Sequence, residues 1–264
     1  MCSCRSTRNA EIYAGESLMD IVADLHTHTI ASGHAYGTIR EMALAASERK
    51  LSMLGITEHA PGIPGTADPF YYINLKAIPR SLYGVKIFIG SEVNVLNDGS
   101  LSLSRKYLDM LDYAIAGIHV QCYEDRGIDG NTDNLISCMR DERVYFVSHP
   151  DDDHTPLDYV RLVKAAKEYH VALEVNNSSF MKPEKRLNCR ENYRKMLALC
   201  TEHRVPVIIS SDAHDPSQVG LFDMAAGFIR ECGFDEGLVL NTDADKVEEF
   251  IRSNVVAHCG AIGI

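Results

Sequence analysis

The chain has 264 residues and is acidic: 37 Asp and Glu against 26 Lys and Arg give a formal net charge of −11, with 45% of residues apolar. No apolar run reaches the ~18 residues a membrane span needs, and Lys and Arg are scattered with no basic block. Neither a membrane partner nor a long nucleic acid is therefore expected, and the length allows one large α/β domain or two small ones.

Residues 1–18 lack periodicity and read as a disordered stretch or upstream extension, without the apolar segment of a signal peptide. Met19 stands just before the first strand as a candidate start, which places the folded domain at 19–264. The eight cysteines form no Cys-x-x-Cys pair and read as reduced thiols of a cytoplasmic protein.

Ile21-Val22-Ala23 leads into Asp24-Leu25-His26-Thr27-His28 as a short buried strand. Side chains two apart on a strand share a face, so His26 and His28 aim two imidazoles at one point. Alone, such a pair more often sits hydrogen-bonded in a core. His34 follows on the next loop. Thr38-Ile39-Arg40-Glu41 is a capping box that opens a helix to about Lys50. A second strand, 53–57, ends at Glu58-His59. The Pro- and Gly-rich segment 60–74 reads as a long loop whose Phe70, Tyr71 and Tyr72 either shape a pocket or pack on the rim.

A third strand, 85–91, ends at Glu92, and a helix is expected at 104–110. The fourth strand, 113–118, ends at His119; Thr132 is placed as the cap of the next helix. The fifth strand, 144–148, ends at His149-Pro150, and Asp158 caps a helix to about Tyr169. The sixth strand, 171–175, ends at Asn176-Asn177-Ser178-Ser179, with a helix at 190–202. The seventh, 207–210, ends at Ser211-Asp212-Ala213-His214; helices follow at 218–232 and, capped by Asp243, at 244–253. Strands alternating with helices imply parallel pairing, and seven such units suggest one α/β barrel domain.

Polar residues recur at the strand ends: His26, His28, His59, Glu92, His119, His149, Asp212 and His214, with His34 beside them. In a parallel barrel all these ends meet on one face. Nine imidazoles and carboxylates converging in one mouth are costly to bury unless cations hold them. Nitrogen and oxygen donors without a thiolate suit zinc first, then manganese or iron. Nine donors exceed one ion, so a cluster of two or three is implied. His170 and His203 precede strands on the opposite face, His154 either stands behind the ligands or is merely exposed, and His258 carries no signal. Lys182, Lys185 and Arg186 follow the sixth strand, either to bind phosphate or as a solvated cluster.

These motifs, together with Ala31-Ser32-Gly33-His34-Ala35-Tyr36 and Glu174-Val175-Asn176-Asn177-Ser178-Ser179-Phe180, resemble the PHP (polymerase and histidinol phosphatase) superfamily, and in finer pattern its stand-alone YcdX-type phosphatases. The resemblance implies a distorted (β/α)7 barrel with a trinuclear site. By position, His26, His28, Glu92 and Asp212 hold one ion, Glu92 bridges to a second with His119 and His149, and His34, His59 and His214 hold a third. Asp24 and Glu58 are implied to lie behind the ligands, Asp24 orienting a histidine; Glu58 stands where many members carry Asp.

The implied activity is hydrolysis of a small phosphorylated substrate. Three divalent ions against Glu92 and Asp212 leave the site cationic, which suits a phosphate dianion. A water bridging two ions and acidified toward hydroxide would attack phosphorus in line, with no side-chain nucleophile. Alternatives are a phosphodiesterase or exonuclease on short nucleotides, a histidinol phosphatase, or a non-catalytic metal-stabilised accessory module. Nothing in the sequence speaks to oligomeric state.

Overall fold

A computed structural model of the chain describes residues 19–259, with side chains described to Asn254; the expected extension at 1–18 lies outside the described residues. The strands are β1 (Ala23–Thr27), β2 (Met53–His59), β3 (Ser81–Leu82), β4 (Val85–Asn94), β5 (Tyr113–Gly117), β6 (Val144–Val147), β7 (Ala172–Asn176) and β8 (Val207–Ser210). The helices are α1 (Ile39–Glu48), α2 (Arg105–Leu108), α3 (Gly127–Met139), α4 (Tyr159–Glu168), α5 (Asn177–Met181), α6 (Cys189–His203), α7 (Asp223–Glu231) and α8 (Ala244–Cys259).

Seven strands pair in parallel in the order β1-β2-β4-β5-β6-β7-β8, and β3 adds antiparallel to β4. The seam between β8 and β1 is not a regular ladder. Buried Asn241 stitches it instead: its Nδ2 donates to Ala23 O (2.7 Å) and Ile209 O (2.6 Å), and its Oδ1 accepts the Ile209 amide. Above it, the His28 amide donates to Ala213 O at 2.8 Å. The sheet therefore closes by a side-chain clasp, consistent with the distorted (β/α)7 barrel that the resemblance implies.

Along the inward faces the residue type changes with height. Phe88, Tyr113, Ile115, Phe146, Ala172 and Ile208 form an apolar plug at the strand starts, onto which Val247 and Ile251 of α8 pack. Two or four residues further on, the same faces carry Glu92, Glu174, Asn176 and Ser210, all fully buried. The larger apolar cluster lies on the outward faces, under the helices. Apolar burial thus fixes the lower barrel and leaves the upper mouth polar.

The α1 capping box is present, with Thr38 and Glu41 bonded reciprocally, and Asp158 caps α4 through the Val160 and Arg161 amides. Several expectations are corrected. Thr132 does not cap α3. The helix starts at Gly127, where Asp125 and Asn131 pin the entry, and the Thr132 hydroxyl bonds Ile128 O inside it. The helix expected at 104–110 is the single turn α2. Part of the long loop is a 3₁₀ segment, Pro69–Ala77. The region 218–232 breaks at Gly220 (φ +72°) before α7. The β3–β4 hairpin was not anticipated; it turns through Tyr83-Gly84, both with positive φ, as a tight two-residue hairpin requires.

Candidate metal centre

The strand ends bring the nine expected residues together with Arg186 and Lys182: His34, His59, Glu92, His119, His149, Lys182, Arg186, Asp212 and His214 line one cleft, and His26 and His28 form its floor. Gly117 makes room for this. A Cβ there would sit 2.3 Å from Ser148 Oγ and 3.0 Å from Glu92 Oε1.

Four donor atoms surround one point. His26 Nε2 lies 3.0 Å from His28 Nε2, 3.3 Å from Glu92 Oε2 and 3.7 Å from Asp212 Oδ1. His28 Nε2 lies 3.5 Å from Glu92 Oε2 and 3.3 Å from Asp212 Oδ1. Donors placed tetrahedrally at ~2.0–2.1 Å from an ion stand about 3.3 Å apart, so these spacings fit a zinc-class ion. Glu92 Oε1 points the other way, 3.1 Å from His119 Nε2 and 2.9 Å from His149 Nε2. The imidazoles of His28, His59 and His214 lie close together, the His28 ring stacked on each of the others at centroid distances of 4.2 and 4.3 Å. His34 Nε2 lies 3.1 Å from His214 Nε2. His59 groups with Glu92 and His119 as well as with His28 and His214, so it sits between two donor sets.

Partners behind the rings select the tautomer that leaves Nε2 open to a metal. His26 Nδ1–H donates to Glu174 Oε1 at 2.7 Å, His119 Nδ1–H to Asn94 Oδ1 at 2.8 Å and His214 Nδ1–H to the Asp212 carbonyl at 2.9 Å. His28 Nδ1–H donates to Ser32 Oγ (3.1 Å), whose own hydroxyl donates to Glu58 (2.6 Å). Glu58 therefore acts on His28 through Ser32, and also binds the Thr29 amide and hydroxyl. Asp24 differs from expectation. It accepts from the Ser211 amide and hydroxyl and the Gly220 amide, so it orients the loop that carries Asp212 and not a histidine ring. Its partners lie across the closed seam, and burial pushes its carboxyl up to about 6.

Electrostatics favour positive charge at this point. Burial opposes ionisation of Glu92 and Asp212, but the surrounding histidines outweigh it and hold both carboxyls well below their ordinary range. Burial also disfavours charge on His26, yet Glu174, Glu92 and Asp212 raise it well above the usual imidazole value. Burial and then His59 and His214 push His28 well below it, which keeps that ring neutral and its Nε2 lone pair available. The backbone is strained at two of the expected ligands: His149 has φ +29° and Asp212 φ +53°. Such conformations cost on the order of 1–3 kcal/mol each and persist where surroundings over-determine them.

Arg186 Nη1 lies 3.4 Å from buried Asp151 Oδ1 and 3.3 Å from His149 Nδ1, while Lys182 is exposed on the lip. Of the loop aromatics, Tyr72 is buried and bonds Ser91 Oγ at 2.8 Å, so it packs and does not line the cleft; Phe70 is exposed. His154 is exposed and pairs with Asp152. Sequence reasoning gave no role to Glu174, Asn176, Ser32, Asn94 or Asp151, although the first three stand in tracts that carry the family resemblance. A usable signal existed for the first: an acid inside the apolar run Val171-Ala172-Leu173-Glu174-Val175 is the same pattern that marked Glu92.

Residues 24–178 match the model of the PHP domain. A probable phosphatase of Thermoanaerobacter sp. (strain X514) is 39% identical over 236 residues, covering 89% of this chain and 96% of that one. A probable phosphatase of Acetivibrio thermocellus is 37% identical over 235 residues, with the same coverage. Among solved structures, a histidinol phosphate phosphatase from Lactococcus lactis, complexed with zinc, L-histidinol and phosphate, aligns with a TM-score of 0.56 at 18% identity, covering 81% of this chain and 94% of that one. A chain of archaeal ribonuclease P aligns with a TM-score of 0.53 at 18% identity, covering 90% and 92%. At that identity both share the fold alone. The matched domain, with relatives similar over nearly their whole length, establishes that the chain belongs to the PHP domain family.

Proposed function

We propose that the chain is a metal-dependent phosphomonoesterase that releases phosphate from a small molecule. The observation that carries this is the division of labour within Glu92: Oε2 faces His26, His28 and His59, whereas Oε1 faces His119 and His149. A carboxylate so placed could serve two sets of donors at once, one with each oxygen. The phosphatase names of relatives at 37–39% identity support the reaction class.

His26, His28, Glu92 and Asp212 would hold one ion, Glu92, His119 and His149 a second, and His34, His59 and His214 a third. Zinc suits these donors, and manganese or iron the same set. When bound, the ions supply Lewis acidity to the phosphoryl oxygens and acidify a water for in-line attack at phosphorus. The chain's own residues do the rest. Glu92 fixes the spacing of two donor sets, and Asn94, Ser32 and the Asp212 carbonyl keep three imidazoles in the receptive tautomer. The Arg186 guanidinium, steadied by Asp151 at the cleft wall, donates to a phosphoryl oxygen, and Lys182 adds positive charge at the entrance.

The test pairs metal analysis of the purified chain with a phosphate-release screen over monoesters (histidinol phosphate included), diesters and nucleotides. Bound divalent metal and turnover of monoesters are expected. Full activity in rigorously metal-free protein overturns the mechanism. Turnover of diesters alone overturns the monoester assignment, and a metal-loaded chain inert on every ester overturns the enzyme.

A further inference from the structure

Of the seven parallel strands, β7 alone neither contains nor leads directly into one of the nine expected ligands. Its two inward residues at the mouth, Glu174 and Asn176, are nevertheless fully buried and polar. Glu174 Oε1 accepts His26 Nδ1–H at 2.7 Å and also the Ser210 hydroxyl. Its Oε2 accepts the backbone N–H of His149 at 2.7 Å and Asn176 Nδ2–H at 3.1 Å. The same Asn176 amide group reaches Asp212 Oδ2 at 3.2 Å.

This one carboxylate joins β1, β6 and β8 through side chain or backbone, and Asn176 extends the join to Asp212. Four donors fill the roughly four lone-pair sites a carboxylate offers. Glu174 lies behind His26, against Nδ1, whereas the metal-facing donor is Nε2. It is thus saturated and on the wrong side of the ring to ligate. Its contacts fall on the least self-sufficient parts of the centre. They include one ring whose tautomer must be chosen, and His149 and, through Asn176, Asp212, the two ligand positions with left-handed backbone.

We propose that Glu174 is a positioning residue of the metal centre, setting the His26 tautomer and the His149 backbone together, with Asn176 relaying the constraint to Asp212. The inference rests on the metal-centre reading above. It accounts for a strand without ligands that keeps a costly buried acid at its end. An amide in its place has one oxygen, which can accept from His26 or from His149 without serving both in full.

The test uses the full chain, with Zn²⁺ and Mn²⁺ as separate probes in chelator competition, and ¹⁵N spectra of the His26 ring in metal-free protein at a pH alkaline enough for that ring to be neutral, since its acidic neighbours favour the protonated form. In the parent, a single Nδ1–H tautomer of His26 is expected. In Glu174→Gln, we expect metal affinity about 10- to 100-fold weaker and a mixture of His26 tautomers. In Asn176→Ala, we expect a smaller loss of affinity with the His26 tautomer unchanged. A role in folding alone would lower the melting temperature without moving the tautomer. Parental affinity and an unchanged His26 signal in Glu174→Gln overturn the proposal. If that variant does not fold, Ser210→Ala and Asn176→Ala decide: parental metal affinity in both overturns it, and weakened affinity in either supports it. A parent chain that binds neither ion overturns the metal-centre reading itself, an outcome distinct from failure of the variants.

Discussion

Glu92 Oε2 and His59 Nδ1 lie 3.0 Å apart at the centre of the mouth, both buried, and neither has a hydrogen-bond partner. Buried polar atoms are almost always paired, and an orphaned carboxylate oxygen costs more than a neutral group. Unpaired donors this close, set among further imidazoles and carboxylates, fit a mouth whose polar atoms are satisfied by cations and not by one another.

Removing that carboxylate tests the centre most directly. Glu92→Gln keeps the shape but loses the charge and one good donor. We expect at least one metal lost per chain and turnover reduced by about 10- to 100-fold or more, since outer-shell losses alone reach that range. His203→Gln, at the C-terminal end of α6 and remote from the cleft, should leave both unchanged. Metal content and turnover, measured side by side, decide; parental values in Glu92→Gln refute the bridging assignment.

Ser32→Ala isolates the relay behind His28. The hydroxyl accepts from His28 Nδ1–H and the His59 amide while donating to Glu58. Without it, His28 is free to place its proton on Nε2. We expect metal affinity or activity to fall about 10- to 100-fold while the fold is retained. Circular dichroism and chelator competition separate the two effects, and unchanged affinity sinks the relay.

Arg186→Ala addresses substrate binding. A hydrogen bond to a charged group contributes about 1.5–3 kcal/mol, roughly 10- to 100-fold in affinity. We expect KM for a monoester to rise by that factor and inhibition by inorganic phosphate to weaken in parallel, with metal content unchanged. A fall in turnover with constant KM would argue that Arg186 acts only through Asp151 and His149.

Thiol alkylation under native conditions should spare activity. Burial pushes the Cys138 and Cys200 thiols up to about 12, so at pH 8 only about one in ten thousand is the reactive thiolate. Cys122 and Cys232 are the more accessible thiols among the described residues, and neither lines the metal cleft. Peptide mass spectrometry beside a phosphate-release assay reports on both points. Inactivation that tracks modification of one cysteine contradicts this.

Much of the centre was legible because a strand-end signal is local. An apolar run closed by His, Glu or Asp says where the strand stops and that its last side chains are polar. Parallel pairing then brings all such ends to one face, and the apolar strand starts bury themselves without further instruction. Helix boundaries were less secure where local cues competed. Thr132 has the chemistry of a cap but lies within α3, because Asp125 and Asn131 fix the chain five residues earlier.

The sequence by itself determined the fold class, the His26–His28 pairing and the strand-end residues of the mouth, since each follows from strand period or strand order, and His34 beside them on the following loop. Only the tertiary structure decided which groups stand behind them. Glu174 meets His26 across 148 residues and Asp24 meets Ser211 across 187. Asn241 closes the seam between strands that form no regular ladder. The left-handed backbone at His149 and Asp212 belongs to the same class, being held by contacts with other strands. These relations depend on strand register and on how the barrel closes. Register is set by packing of the whole apolar core, so no local run of residues encodes it.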